Sequence, residues 1–141
     1  MMLVLLMGHL IGDYYLQWDK LIQMKKSSFK YLLLHVFIYT LPFIGIVIVF
    51  NYHLLDWLVP LSIIFISHML IDIGKKYLDQ YYSDKKYIFR NFCIDQLLHI
   101  GVLAIYSSSF IVYSIWVWLL FIVIMIIQPI PLIMKLYKMS S

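Results

Sequence analysis

Five long apolar runs alternate with short polar stretches along the chain: Met1–Trp18, Phe29–Phe50, Leu54–Lys75, Tyr87–Tyr106 and Phe110–Leu136. A helix needs about 20 mostly apolar residues to cross the hydrocarbon core of a bilayer, and each run is of that order. The pattern predicts an all-α, polytopic membrane bundle of about five transmembrane helices, in a single integral-membrane domain covering residues 1–141. The first run has no basic leader and no small-residue cleavage motif, and it carries His9 and Asp13, so it reads as a retained helix and not a signal peptide. The fifth run holds no charge before Lys135. Its Tyr113, Trp116 and Trp118 suit an interfacial belt, and Pro129 and Pro131 should kink or end it. That helix is expected to face lipid or to form a homo-oligomer contact.

Composition strengthens the membrane reading. The chain is 64% hydrophobic and only 13% charged, whereas soluble domains are nearer half apolar and a quarter charged. The single cysteine, Cys93, excludes an internal disulfide and a cysteine-based metal site. Glutamate is absent, and all seven acids are aspartates.

Charge adds orientation. Lys20, Lys25, Lys26 and Lys30 lie between the first two runs. Lys75, Lys76, Lys85, Lys86 and Arg90 lie between or at the ends of the third and fourth, and Lys135 and Lys138 close the fifth. The intervening loops at Asn51–His53 and Ser107–Ser109 contain no Lys or Arg. By the positive-inside rule the basic side is cytoplasmic, with the amino terminus outside and the carboxyl terminus inside a bacterial inner (cytoplasmic) membrane. The net charge of +4 is then a matter of topology. The lipid bilayer is the expected partner, and no nucleic acid is expected.

Polar residues inside the runs are few and patterned. His9-x3-Asp13 lies in the first, His35 in the second, His68-x3-Asp72 in the third and Asp95-x3-His99 in the fourth. Residues four apart share a helix face, about 6 Å apart along the axis. The fourth run crosses in the opposite direction and its motif is reversed, so all three pairs place Asp one turn nearer the basic side than His. Counted from the nearest basic residue, the cluster lies roughly 4–14 Å from that boundary, with His9 slightly deeper. A weak repeat accompanies it: the first two runs resemble the third and fourth, with His35 matching His99 and Tyr31 standing where Asp95 does. Two similar helical hairpins plus one extra helix would bring these faces together. Gly12 and Gly101 would allow close helix approach near the cluster, and Tyr31 and Tyr39 flank His35.

The candidate metal ligands are His9, Asp13, His35, His68, Asp72, Asp95 and His99. Four imidazoles and three carboxylates suit a divalent Zn, Mn or Fe ion, and seven groups exceed one tetrahedral site, so two ions or a supporting layer are implied. Asp95 or Asp13 are candidate bases, and Lys20, Lys75, Gln17 and Gln96 candidate substrate contacts. Asp72 is also near enough in sequence to pair with Lys75 or Lys76. The bland alternative is His–Asp hydrogen bonding within each helix. His53, in a loop, is not expected to take part.

The motif Gly8-His9-Leu10-x2-Asp13-x3-Gln17, with His35, Ser67-His68-x3-Asp72-x2-Lys75 and Asp95-Gln96-x2-His99, resembles a family of small bacterial membrane proteins catalogued as a domain of unknown function (number 3307). The resemblance runs from about Leu5 to Ile105 and implies no activity. A looser likeness, in the His-x3-Asp signature alone, is to membrane-bound metal-dependent hydrolases. The favoured reading is a metal-dependent hydrolase of a phosphoester or lipid-like substrate. A metal-ion or proton transport component and a non-catalytic membrane subunit stand as alternatives.

The topology makes a direct prediction. A reporter fused after Ser141 should lie on the cytoplasmic side, and one inserted near His53 on the external side. A cytoplasmic signal at His53 would refute the orientation.

Overall fold

A computed structural model describes residues 1–107 and 115–140. Among the described residues all regular structure is helical: α1 (Met2–Leu10) continuing into a π-helical turn (Ile11–Tyr15), α2 (Asp19–Ser27), α3 (Phe29–Val49), α4 (Leu54–Tyr81), a short 3-10 turn (Lys85–Tyr87), α5 (Ile88–Tyr106), α6 (Ile115–Ile127) and α7 (Pro129–Ser140). Four helical stretches are long and apolar enough to cross a membrane: Phe29–Val49, Leu54–Tyr81, Lys85–Ile105 and Ile115–Ser140. In hydrocarbon, backbone N–H and C=O groups find partners only within such segments, which is why these runs coil as they do.

Several boundaries differ from the apolar runs. The first apolar helix, Met2–Tyr15, is shorter than the other four. The chain leaves it through a wide turn, in which the Leu16 N–H donates to the Ile11 carbonyl at 3.0 Å, and is extended at Trp18. The stretch before α3 is a helix and not a loop: α2 buries Leu21, with Asp19 in its first turn and Lys25 and Lys26 in its last, the order the helix dipole favours. The third run continues beyond Lys75 to Tyr81, since no Gly or Pro interrupts residues 76–81 and the next break is at Ser83-Asp84. The fifth breaks at Gln128, where Pro129 and Pro131 withhold two backbone donors. The Tyr15 hydroxyl donates to the Ile124 carbonyl just before that break, at 2.6 Å. The start of the fifth run, Tyr113, and Ser108–Ser109 of the expected outer loop lie outside the described residues.

α3 packs on α4 and α4 on α5, while α1 is bordered by α3, α5 and α6, and α5 by α7. Leu5, Tyr39, Phe43, Leu61, Ile64 and Leu103 form an apolar core from four of these helices. At one end of the bundle the Tyr52 hydroxyl meets Met1 Sδ at 3.7 Å. At the other, the Phe89 N–H donates to the Ser140 hydroxyl at 2.9 Å, which brings the end of α7 beside the basic turn before α5. α6 buries no residue, and Trp116 and Trp118 are exposed on it. Broad apolar surface of this kind belongs against lipid.

Gly12 fixes the fit of the first helix against α3. A Cβ there would lie 2.7 Å from Tyr39 Cδ2 and 2.9 Å from the Tyr39 carbonyl oxygen. Gly101, expected to serve the same purpose, has nothing within 4 Å of its Cβ position. Gly12→Ala should therefore destabilise the detergent-solubilised protein by about 1–3 kcal/mol, since backbone cannot yield as a side chain does. Gly101→Ala should be neutral or stabilise by up to about 1 kcal/mol. Thermal unfolding of the two variants checks the contrast.

Candidate metal centre

The helical spacing of His9 and Asp13 would aim both at one point, but the π turn changes the phase after His9. Asp13 swings toward α3 and α4. Its Oδ1 lies 3.5 Å from His35 Nε2 and 3.7 Å from His68 Nε2, while its Oδ2 is 3.8 Å from His9 Nδ1. Asp72 approaches the same imidazoles, with Oδ2 3.4 Å from His35 Nε2 and 3.8 Å from His68 Nε2. The two Nε2 atoms are 3.0 Å apart.

These four atoms, from the first helix, α3 and α4, form a small cage. A tetrahedral ion with bonds of about 2.0–2.1 Å has edges of about 3.3–3.4 Å. Five of the six separations among the four atoms run from 3.0 to 3.8 Å, while the two carboxylates flank the imidazole pair and belong to separate groups of mutually close ligands. Asp13, His35 and His68 form one group able to hold a metal ion, and His68, Asp72 and His99 a second.

The remaining expected ligands surround the cage. His99 Nδ1 lies 2.9 Å from the Asp95 carbonyl; donating to it leaves Nε2 as a lone pair, buried and without a partner. The His68 and His99 rings are 4.5 Å apart by centroid. His9 has both nitrogens engaged, Nδ1 with the Tyr39 hydroxyl at 3.0 Å and Nε2 with Gln96 Oε1 at 3.1 Å. It thus acts as a hydrogen-bonded wall of the cage, not as one of the four converging groups. Asp95 is held through Oδ2, which accepts from Gln96 Nε2 at 3.1 Å and lies 3.4 Å from Lys75 Nζ. Its Oδ1 is buried without a hydrogen bond, 3.7 Å from His99 Nδ1.

The expected substrate contacts divide. Lys75 and Gln17 line a polar cavity of about 480 Å³, together with Asp13, Asp72 and Asp95. Gln96 reaches the same cavity, although its oxygen is already taken by His9 and by the Tyr14 hydroxyl at 2.9 Å. Lys20 is exposed and lines none of it. No histidine borders the cavity. The carboxylates thus form a layer between the cavity and the imidazoles, in the vertical order that the sequence motifs imply. His53 is exposed at the far turn.

Asp72 pairs with neither Lys75 nor Lys76. Its partner is Lys25 of α2, at 3.1 Å, because α2 folds back over the end of the bundle while Lys75 turns toward α5. Tyr39 also does more than flank His35: its ring stacks on His68 at 3.5 Å and 11°.

The family model described as "Protein of unknown function (DUF3307)" matches residues 1–128. The chain belongs to this family. No curated protein and no solved structure matches it significantly. The DUF3307 match covers every residue of the cluster, and Lys25 and Tyr14 as well.

Lys25 and Tyr14 were not legible as site residues. Lys25 has the sequence context of any interfacial lysine, and Tyr14 meets Gln96 through a contact between segments far apart in the chain. Lys25→Met should destabilise this DUF3307 protein by about 1–3 kcal/mol, by leaving the Asp72 carboxylate without its cation. Lys20→Met should change stability by less than about 0.5 kcal/mol. Paired thermal melts in detergent measure both.

Proposed function

We propose that the protein is a membrane-embedded, metal-dependent hydrolase acting on a phosphoester or lipid-like substrate, with Zn, Mn or Fe held by Asp13, His35, His68 and Asp72. Two overlapping triads carry this reading, Asp13 with His35 and His68, and His68 with Asp72 and His99, each with its ligand atoms within 4.8 Å of one another. His99, with its tautomer fixed and Nε2 free, is the next available ligand.

A bound divalent ion supplies Lewis-acid polarisation of a phosphoryl or carbonyl oxygen and lowers the pKa of water. The chain's own groups supply the rest. Asp95 is clamped by Gln96 and Lys75 with one carboxylate oxygen left without a hydrogen bond, the arrangement a general base needs. Lys25, Lys26 and Lys75 border the polar cavity and can receive an anionic substrate group. On the opposite side the cluster is backed by Leu5, Phe43, Ile64 and Leu103. A polar approach on one face and an apolar floor on the other favour a closed reaction site over a conduction path. By the positive-inside rule the open face is the cytoplasmic one.

The test combines metal binding with turnover. Chelation should lower the thermal stability of the purified protein, and Zn or Mn should restore it, because removing the ion leaves buried carboxylates uncompensated. His68→Ala should abolish the response, and His53→Ala should leave it intact. Asp95→Asn should keep the metal response yet reduce phosphoester hydrolysis by about 10²–10⁴-fold. An unchanged melt on chelation of the parent protein would remove the metal reading altogether.

A further inference from the structure

The polar cavity has a second, apolar neighbour. A cavity of about 390 Å³ opens between α1, α5 and the α6–α7 pair, walled by residues such as Leu6, Leu97, Phe121 and Met125. Its volume falls in the range of small-molecule sites, about 300–1,000 Å³. Tyr14, Phe92 and Gln96 line both cavities. One face of this shared wall carries lysines and carboxylates, and the other carries almost only hydrocarbon.

Charge selects the headgroup. Four carboxylates (Asp13, Asp72, Asp79, Asp95) and three lysines (Lys25, Lys26, Lys75) line the polar cavity. That is a formal excess of one negative charge, which a divalent ion in the cage converts to an excess of one positive charge. A bound divalent ion therefore favours an anion in the cavity. A soluble phosphoester would use the polar cavity alone and leave the apolar one without a purpose.

From this juxtaposition we infer that the ligand is an anionic, phosphate-bearing membrane lipid, with its headgroup in the polar cavity and an acyl chain in the apolar cavity across Tyr14, Phe92 and Gln96. The inference rests on the metal-centre reading and names the substrate class for it. Such a lipid reaches the apolar cavity from the bilayer between α5 and α6, where Leu97 and Ile122 are exposed to hydrocarbon. It needs no passage through water.

The protein can be tested in phosphatidylcholine nanodiscs doped with phosphatidic acid that carries a photoreactive diazirine in one acyl chain. Mass spectrometry should locate cross-links on the α5 segment from Phe92 to Ile100. Zinc should raise their yield by about tenfold or more, because the ion reverses the local charge within a few ångströms of the headgroup. Unlabelled phosphatidic acid should compete, and glycerol 3-phosphate and phosphatidylcholine should not. Met125→Trp, which fills the apolar cavity from α6, should lose the cross-link and retain zinc. Val123→Trp, exposed on the same helix but outside the cavity lining and the entry route, should retain both. Zinc binding with cross-links scattered evenly over the lipid-facing helices would overturn the lipid assignment and leave the metal centre standing, as would full competition by glycerol 3-phosphate. Absence of zinc binding would overturn both.

Discussion

The carboxylate of Asp13 is the charge around which the rest of the polar layer is arranged. Asp72 has Lys25 and Asp95 has Lys75 as close cationic partners. The ion-pair contacts of Asp13 are to His9, His35 and His68, and a neutral imidazole brings no charge with it. A carboxylate inside a bundle is costly unless a counter-charge or a ligand ion accompanies it. The His and Asp groups around Asp13 could hold a divalent ion, which would meet that need. The Nε2 atoms of His35 and His68 are 3.0 Å apart, so without an ion one imidazole N–H donates to the other.

Placing that carboxylate required a departure from regular α-helix. With 3.6 residues per turn, His9 and Asp13 would face the same neighbour. One widened turn, of a kind found often at functional sites, separates their targets: His9 bonds Tyr39 and Gln96, while Asp13 reaches His35 and His68. The same turn depends on a close approach to α3, which the missing side chain of Gly12 permits. Tyr39 sits at the junction. Its backbone meets Gly12, its ring stacks on His68, and its hydroxyl binds His9. Three elements are thus held in register by one aromatic residue from α3.

Legibility followed the range of the interactions. Hydrophobic run length is a local signal, and it marked α3, α4, α5 and the α6–α7 pair as long apolar helices. The proline break in the last run was readable for the same reason, since a missing donor acts on its own helix. The seven His and Asp residues were legible because buried polar groups stand out against hydrocarbon. Other features depend on contacts between distant segments. The early end of the first helix and its π turn follow from packing on α3, and no run of residues signals them. The pairing of Lys25 with Asp72 depends on α2 folding across the bundle end. Gly101 shows the limit from the other direction: it has the context of a packing glycine and no neighbour to pack against.

The asymmetry of the bundle bears on what the polar layer can do. A path for ions or protons across a membrane needs polar or hydrated stations through its depth, because an isolated charge in hydrocarbon costs several kcal/mol. Here the described helices are apolar on one side of the imidazoles, with Leu5, Phe43, Ile64 and Leu103 packed against one another. They are open on the other, through the cavity that Asp13, Asp72 and Asp95 line. Polar access to the imidazole layer is therefore from the cavity side. The lysines border that face, and their pairing with Asp72 and Asp95 holds both carboxylates in position while keeping cationic groups beside the opening. A dead-end polar site beside an apolar cavity suits chemistry on a molecule that is itself half polar and half apolar. The bilayer supplies such molecules at high local concentration.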